Sequence, residues 1–443
     1  VLVELPYGKG TVGVRIPEKN LIGVYSPKDV RPVADVREEV IRALKRPIGS
    51  RPLRELAKGA GKVVIVADDN TRLTPTDRII PALLDEMNAA GVPDARISVI
   101  IALGTHRFMT PGEILGKFGP EVVRRVAVKN HDYKDPAGLV DLGATPNGTR
   151  VTVNREAFEA DFKIGVGSIV PHHIPGYAGG AKIVQPGICG ERTTAATHLL
   201  SVEASRSLLG VTDNPVREEI NGIARRVGLH TILNTVLNRS GEVVEAFFGD
   251  VVEAFNEGVR LSQKVYAAEI PEEADIVLAG SHPCDIEFWQ AHKTLYPSDL
   301  AVKAGGIVIV VTPCPEGVAM THRDILEVTR HDARGLRGMV SCGQLHDEVA
   351  AALAIAWAQV KERETVYLVS DGICAADAGR LGFTRFDTAQ DALDAALREK
   401  MRPGTRHRPH PCAGHAAGDV WKVVKERLPE VKTKLEKIID PLD

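Results

Sequence analysis

Residues 62–67 read KVVIVA; the polar loop DDNTRLTPTD (68–77) follows, and then an amphipathic stretch from Arg78 to Ala90. A short continuous run of β-branched residues ending in a polar loop suits a strand buried on both faces, and the helix after it carries the chain back across the sheet. The pattern recurs. Arg96–Leu103 (RISVIIAL) precedes a helix after Thr110, and Asp161–Val170 (DFKIGVGSIV), Ala274–Ala279 (ADIVLA), Gly306–Thr312 (GIVIVVT) and Thr365–Ser370 (TVYLVS) are further buried-strand segments. Strands alternating with helices specify an α/β fold whose sheets are mainly parallel and covered by helices.

A polar, helix-prone region from Val243 to Ala268 separates two sets of such units. The expected organisation is an N-terminal α/β domain over residues 1–265 and a C-terminal α/β domain over 266–443, facing each other across an active-site cleft. Val1–Pro27 alternates apolar and polar residues around Gly8, Gly10 and Gly13 and suits a hairpin at a domain edge. Arg402–His415, rich in Pro, His, Arg and Gly, is expected to be a loop before a last helix, Gly418–Leu428. No internal repeat is visible.

The chain has 443 residues, 44% hydrophobic and 26% charged, with a net charge of -3, so it can bury more than one core and is neither disordered nor fibrous. That charge offers no footprint for nucleic acid or an anionic membrane, and no apolar run is long enough to span a bilayer. A small-molecule substrate is the expected partner. Cys189, Cys284, Cys314, Cys342, Cys374 and Cys412 form no CxxC pair, which favours reduced thiols in a cytoplasmic protein over disulfides or a zinc site.

In open parallel sheets ligands bind beyond the carboxyl ends of the strands, where helix N-termini point. Four polar clusters follow predicted strands: DDNTR at 68–72, GTHR at 104–107, PHH at 171–173 and SHPCD at 281–285. The densest segment is Pro171–Ser201, PHHIPGYAGGAKIVQPGICGERTTAATHLLS. Gly176, Gly179 and Gly180 leave the backbone bare before Lys182, so a bulky group could lie against the main chain and the amine. His198 falls on a helix expected after Gly190. A lone GGxK is as readily a solvated turn; a histidine returned to the same place favours an anchored cofactor.

His106 and His172 stand at strand ends, and histidine is the side chain best matched to proton transfer near neutrality. Strand alternation would turn His172 and His173 to opposite sides, so one of the two is expected in the cleft. In DDNTR the acids could merely cap a helix, whereas the planar fork of Arg72 matches a carboxylate or phosphate. Gln290 and Lys293, three apart in DIEFWQAHK (285–293), would project from one helix face. On their own they would be an ordinary exposed pair.

The combination of the LPYG hairpin, DDNTR, GTHR, PHHIPGYAGGAK, THLLS and WQAHK resembles the nickel-dependent lactate racemase family, which also includes racemases and epimerases of other 2-hydroxyacids. The resemblance spans essentially the whole chain and is most specific from His172 to His198. It implies a covalently bound nickel-pincer nucleotide, a pyridinium-3,5-bisthiocarboxylic acid mononucleotide carrying Ni, tethered to Lys182, with His198 as the protein's nickel ligand. It further implies His106 and His172 as acid/base residues and Arg72, Gln290 and Lys293 as contacts of the hydroxyacid. Asp69, Thr71, Gly176, Gly179 and Gly180 would contact the cofactor, and the enzymes that make the nucleotide would be transient partners. The chain departs from the lactate-type pattern at Trp289 and His292, where a tyrosine and a small residue are expected, and it lacks a clear counterpart of a second-domain tryptophan. These positions would set the substrate. Two other readings of the residues are a lyase using Lys182 with a histidine-bound metal, and a non-catalytic binder of a small anion.

Overall fold

The structure is a computed structural model describing residues 1–400. The chain opens with an antiparallel hairpin, β1 (Leu2–Tyr7) and β2 (Gly10–Arg15). Then come β3 (Val63–Asp68), β4 (Ile97–Ala102), β5 (Ala127–Asn130), a second hairpin of β6 (Leu139–Ala144) and β7 (Arg150–Asn154), and β8 (Phe162–Ser168). Two-residue strands β9 (Pro171–His172) and β10 (Gly176–Tyr177) precede β11 (Thr231–Leu237) and β12 (Val243–Gly249). One six-stranded sheet has the order β12-β11-β8-β3-β4-β5, all parallel except β12. Chain order thus runs outward from β3 in both directions, which opens a crevice between the carboxyl ends of β3 and β8.

The alternation of side chains in β3 builds both faces of this sheet. Val63, Ile65 and Ala67 enter one core with Ile79, Ile80, Leu83, Leu84 and Met87 of the helix Thr76–Ala89. Val64 and Val66 enter another with Ile183, Val184 and Ile188, the residues just after Lys182. Each such aliphatic side chain contributes about 1.5–3 kcal/mol on full burial. The segment that carries the lysine is therefore anchored by the sheet itself.

A second, fully parallel sheet has the order β13 (Ala274–Gly280), β14 (Val302–Val311), β15 (Thr365–Val369), β16 (Thr384–Phe386). The helix Glu348–Lys361 (EVAAALAIAWAQVK) is buried on nearly every side. It is apolar all round because its core joins β14 and β15 to Ala195 of the helix Glu191–Ser201. Although the opening hairpin precedes the first sheet in sequence, it packs on the second. Val14 lies in a core with Ile307, Ile309, Val311 and Val369, and Arg15 N–H donates to Gln390 at 2.8 Å.

Three local expectations change. Val243–Gly249 is an edge strand, not helix-prone, because it pairs antiparallel with β11; the helix there is Glu253–Tyr266. The segment 285–293 is not one helix. Ile286 and Phe288–Trp289 bond the loop at 316–318, so a short helix begins only at Phe288 and passes through a 3-10 turn, His292–Thr294, into Leu295–Ala301. SHPCD meets the opening hairpin, where Asp285 accepts from Gly8 N–H at 3.2 Å. The expected tail loop, the last helix and Cys412 lie outside the described residues. Among those residues no helix is long and apolar enough to cross a membrane, and the five described cysteines are free.

Candidate active site

The carboxyl ends of β3, β4 and β8 face Trp289–Lys293 across an open cleft. At the end of β3 the two acids do not cap the next helix, whose N-cap, Pro75, receives no side-chain bond. Asp69 is buried; its Oδ1 accepts from the Thr71 hydroxyl at 2.5 Å and amide at 3.1 Å, and its Oδ2 lies 2.6 Å from His106 Nδ1. Burial alone would raise the Asp69 pKa, but its interactions with His106, then with Arg72, hold it well below the usual carboxylate range. Asp68 accepts from Thr74 Oγ1 at 2.7 Å and Ser168 N–H at 3.2 Å.

His106 Nε2 lies 2.9 Å from Gln290 Nε2. Gln290 Oε1 accepts from Lys293 Nζ and, at 3.4 Å, from Arg72 Nη1. The three residues expected at a hydroxyacid thus converge with a histidine from another strand. Burial, then the charge of Arg72, pushes the Lys293 amine down to about 8. Thr71 is not in the lining; it ties Asp69 to Arg72, from which its hydroxyl accepts at 2.7 Å.

Of the three expected glycines, Gly179 lines the cleft, while Gly176 and Gly180 support the turn behind it. At Gly176 φ is +82°, and a Cβ would lie 1.7 Å from the Val211 carbonyl oxygen, so no other residue fits. Gly180 N–H donates to Asn234 Oδ1 at 2.7 Å. Lys182 follows on the 3-10 turn Gly180–Ile183. Burial first, then Arg72 and Lys293, pulls its pKa well below the ordinary lysine value.

His198 enters the cleft from the last turn of the helix Glu191–Ser201. Its Nδ1 is buried without a partner, and burial followed by the charge of Lys182 pushes its pKa to about 3. His172 accepts at Nδ1 from the Ile174 amide at 3.2 Å. Burial, then Lys182, holds its pKa well below the ordinary histidine value. Both His172 and His173 line the cleft, stacked at 4.6 Å and 16°, contrary to strand alternation, because β9 ends after two residues and the chain turns.

The opposite wall is aromatic. His173 is sandwiched between His172 and Tyr296, the latter at 4.3 Å, with His292 edge-on at 4.9 Å. His292 Nδ1 lies 2.9 Å from Tyr296 Oη, and Trp289 stacks on His322 at 4.3 Å, with His322 Nδ1 2.7 Å from Asp347.

Several supporting residues escape the sequence patterns. Lys117 donates to the carbonyls of Arg72 and Thr74 at 2.6 and 2.7 Å, fixing the loop after β3. Arg217, buried over the Phe255 ring at 4.3 Å, donates to the carbonyls of Pro175, Tyr177 and Gly179 and holds the glycine turn. Arg107 reaches Glu316, 3.0 Å from Nε to Oε2.

The molecule is thus an α/β protein with a cleft in which a half-buried lysine and several histidines meet at a sheet switch point. Residues 7–210 match the family described as the lactate racemase N-terminal domain. The chain is 32% identical over 321 residues to a lactate racemase of Thermoanaerobacterium thermosaccharolyticum, covering 71% of this chain and 75% of that one. It is 31% identical over 324 residues to the lactate racemase of Lactiplantibacillus plantarum, covering 72% and 76%. The solved lactate racemase apoprotein from T. thermosaccharolyticum superposes with a TM-score of 0.79 at 27% identity, over 90% of this chain and 95% of that one. A Thermotoga maritima protein shares the fold, with a TM-score of 0.68 at 22% identity, over 82% and 93%. The chain belongs to the lactate racemase family.

Proposed function

We propose that this chain is a racemase or epimerase of a 2-hydroxycarboxylic acid, working with a nickel-pincer nucleotide joined to Lys182. The observation that carries the reading is the convergence of Lys182, His198, His106 and His172 on one cleft beside Arg72, Gln290 and Lys293. The residues fit the group. A half-buried lysine whose pKa is pulled down suits covalent attachment, and a neutral imidazole with an unpartnered nitrogen suits nickel. Among the described residues no three His, Cys, Asp or Glu side chains are grouped as a metal site, so His198 would complete a metal whose other donors come with the nucleotide.

When bound, that group supplies a hydride acceptor, which spares the chain from deprotonating a carbon already next to a carboxylate. Arg72 and Lys293 hold the carboxylate, and Gln290 orients the hydroxyl region. His106 Nε2 takes the hydroxyl proton while Asp69 balances the imidazolium. His172, across the cleft, serves the other enantiomer. Asp69, Thr71 and Gly179 shape the cofactor's seat, and Gly176 and Gly180 hold the turn. Trp289 and His292 wall the substrate, with lactate as the first acid to try.

The test is expression alongside the enzymes that make the nucleotide, followed by intact-protein mass spectrometry, nickel analysis and chiral chromatography of a 2-hydroxyacid panel. A nucleotide-sized adduct on Lys182, stoichiometric nickel and equilibration of one acid are expected. Unmodified lysine without nickel or turnover overturns the reading.

A further inference from the structure

The hydrogen-bond partners of His106 and His172 differ in kind. Asp69, held ionised, can only accept, so His106 Nδ1 must donate to it across 2.6 Å. A neutral His106 then carries its lone pair on Nε2, which receives Gln290 Nε2–H at 2.9 Å. The amide orientation is fixed from its other end. Gln290 Oε1 faces Lys293 Nζ and Arg72 Nη1, groups that only donate, so the NH2 must point at the histidine. A carboxylate at one end and two cations at the other define the whole chain of bonds.

His172 is met in the opposite sense. The Ile174 amide can only donate, so the Nδ1 it reaches at 3.2 Å must be the unprotonated nitrogen. With the ring kept neutral by burial and by Lys182, its single proton sits on Nε2. We infer that the two histidines rest in opposite tautomers, His106 as the proton acceptor and His172 as a hydrogen-bond donor that exchanges a proton only once its Nδ1 leaves the Ile174 amide.

This inference deepens the racemase reading and rests on it for its catalytic meaning. From the resting form, a hydroxyl proton passes to His106 Nε2 and leaves an imidazolium opposite Asp69. His172 cannot release its Nε2 proton, because that would leave an anionic ring, nor can its Nε2 accept one. It exchanges a proton only after Nδ1 parts from the Ile174 amide and takes up a proton of its own. The Asp69 carboxylate and the Ile174 amide are therefore positioning groups that make the two faces of the site unequal.

The test uses the full chain without nucleotide, labelled with 15N-histidine, and reads ring tautomers by NMR at neutral pH. Signals are assigned by their loss in His106→Gln and His172→Gln, or by correlation to each residue's own backbone amide where a variant folds poorly. The expected result is Nδ1–H for His106 and Nε2–H for His172. Asp69→Ala should abolish the preference at His106 and leave His172 unchanged. Matching tautomers, a doubly protonated His172, or a His106 that keeps Nδ1–H in Asp69→Ala overturns the inference. Failure to racemise any hydroxyacid in the loaded protein would instead remove the racemase reading and leave the tautomers as measured.

Discussion

On the wall formed by β3 and β4, the catalytic-type groups are met by partners of defined sense: Asp69 by Thr71 and His106, His106 by Gln290, Asp68 by Thr74 and Ser168. On the facing wall, Trp289 and His292, backed by His322 and Tyr296, meet one another and His173 mostly face to face or edge to face, and both ring nitrogens of His173 are buried without a partner. Hydrogen bonds of fixed polarity set protonation states, while stacked rings set shape. Under the racemase reading proposed above, the difference would put proton transfer on the first wall and choice of substrate on the second, with His172 where the two meet.

The comparison breaks first at His106. His106→Gln keeps a polar side chain but removes the proton acceptor, and racemisation of either enantiomer should fall by about 10²–10⁴, the usual worth of a positioned acid/base. Chiral initial rates on the cofactor-loaded variant check this, with the mass of the Lys182 adduct unchanged. A loss confined to KM would move His106 to the substrate-shaping wall.

Trp289→Phe and His292→Ala should reorder the hydroxyacid panel, shifting the ratio of kcat/KM between a small and a bulky acid by roughly 10- to 200-fold, the range a pocket contact supplies. The best substrate should stay within an order of magnitude of its former kcat. An equal loss for every acid would mean that these residues serve chemistry rather than shape.

Legibility in the sequence divides along related lines. β3, β4 and β8 were readable because runs buried on both faces have little polar interruption. β11 and β12 were not, since Thr231, Asn234 and Thr235 are buried polar residues and β12 is an antiparallel edge. The lysine and histidines of the site stood out because they follow strands or glycine turns. Lys117 and Arg217 did not, because backbone carbonyls are their partners and every sequence offers those. The placement of both His172 and His173 in the cleft depended on where β9 stops, and strand ends are the least legible feature of a sequence.

Arg72→Lys sharpens the first wall. It keeps the charge but loses the planar fork, and loss of a charge-assisted bond worth about 1.5–3 kcal/mol should raise KM by roughly 10- to 150-fold with less effect on kcat. Lys293 offers a pH test of the same contact. Because its pKa lies near 8, the amine loses its charge as pH rises through that value, and KM should climb by about tenfold per further pH unit. In Lys293→Arg, which stays cationic, that rise should flatten; a persistent rise would place the titrating group elsewhere.

The smallest effect belongs to the bridge from Arg107 to Glu316. Arg107 binds Glu113 through Nη1 at 2.9 Å and Nη2 at 2.7 Å, and binds Glu316 through Nε at 3.0 Å. Glu316→Gln removes the cross-cleft charge yet leaves Arg107 paired with Glu113, so no buried cation is stranded. The cost should be about 1 kcal/mol or less, a melting shift of about 1 °C or less for a chain of this length, and it should shrink at high salt as screening removes the same interaction from the parent. Glu113→Ala should cost more. Glu113 also completes the capping box of the helix Pro111–Arg125 with Thr110, and the Arg107 hydrogen bond holds its carboxyl down at about 2. If Glu316→Gln instead cut racemisation as deeply as His106→Gln, the walls would be coupled through their edge, and proton transfer could no longer be assigned to one side of the cleft.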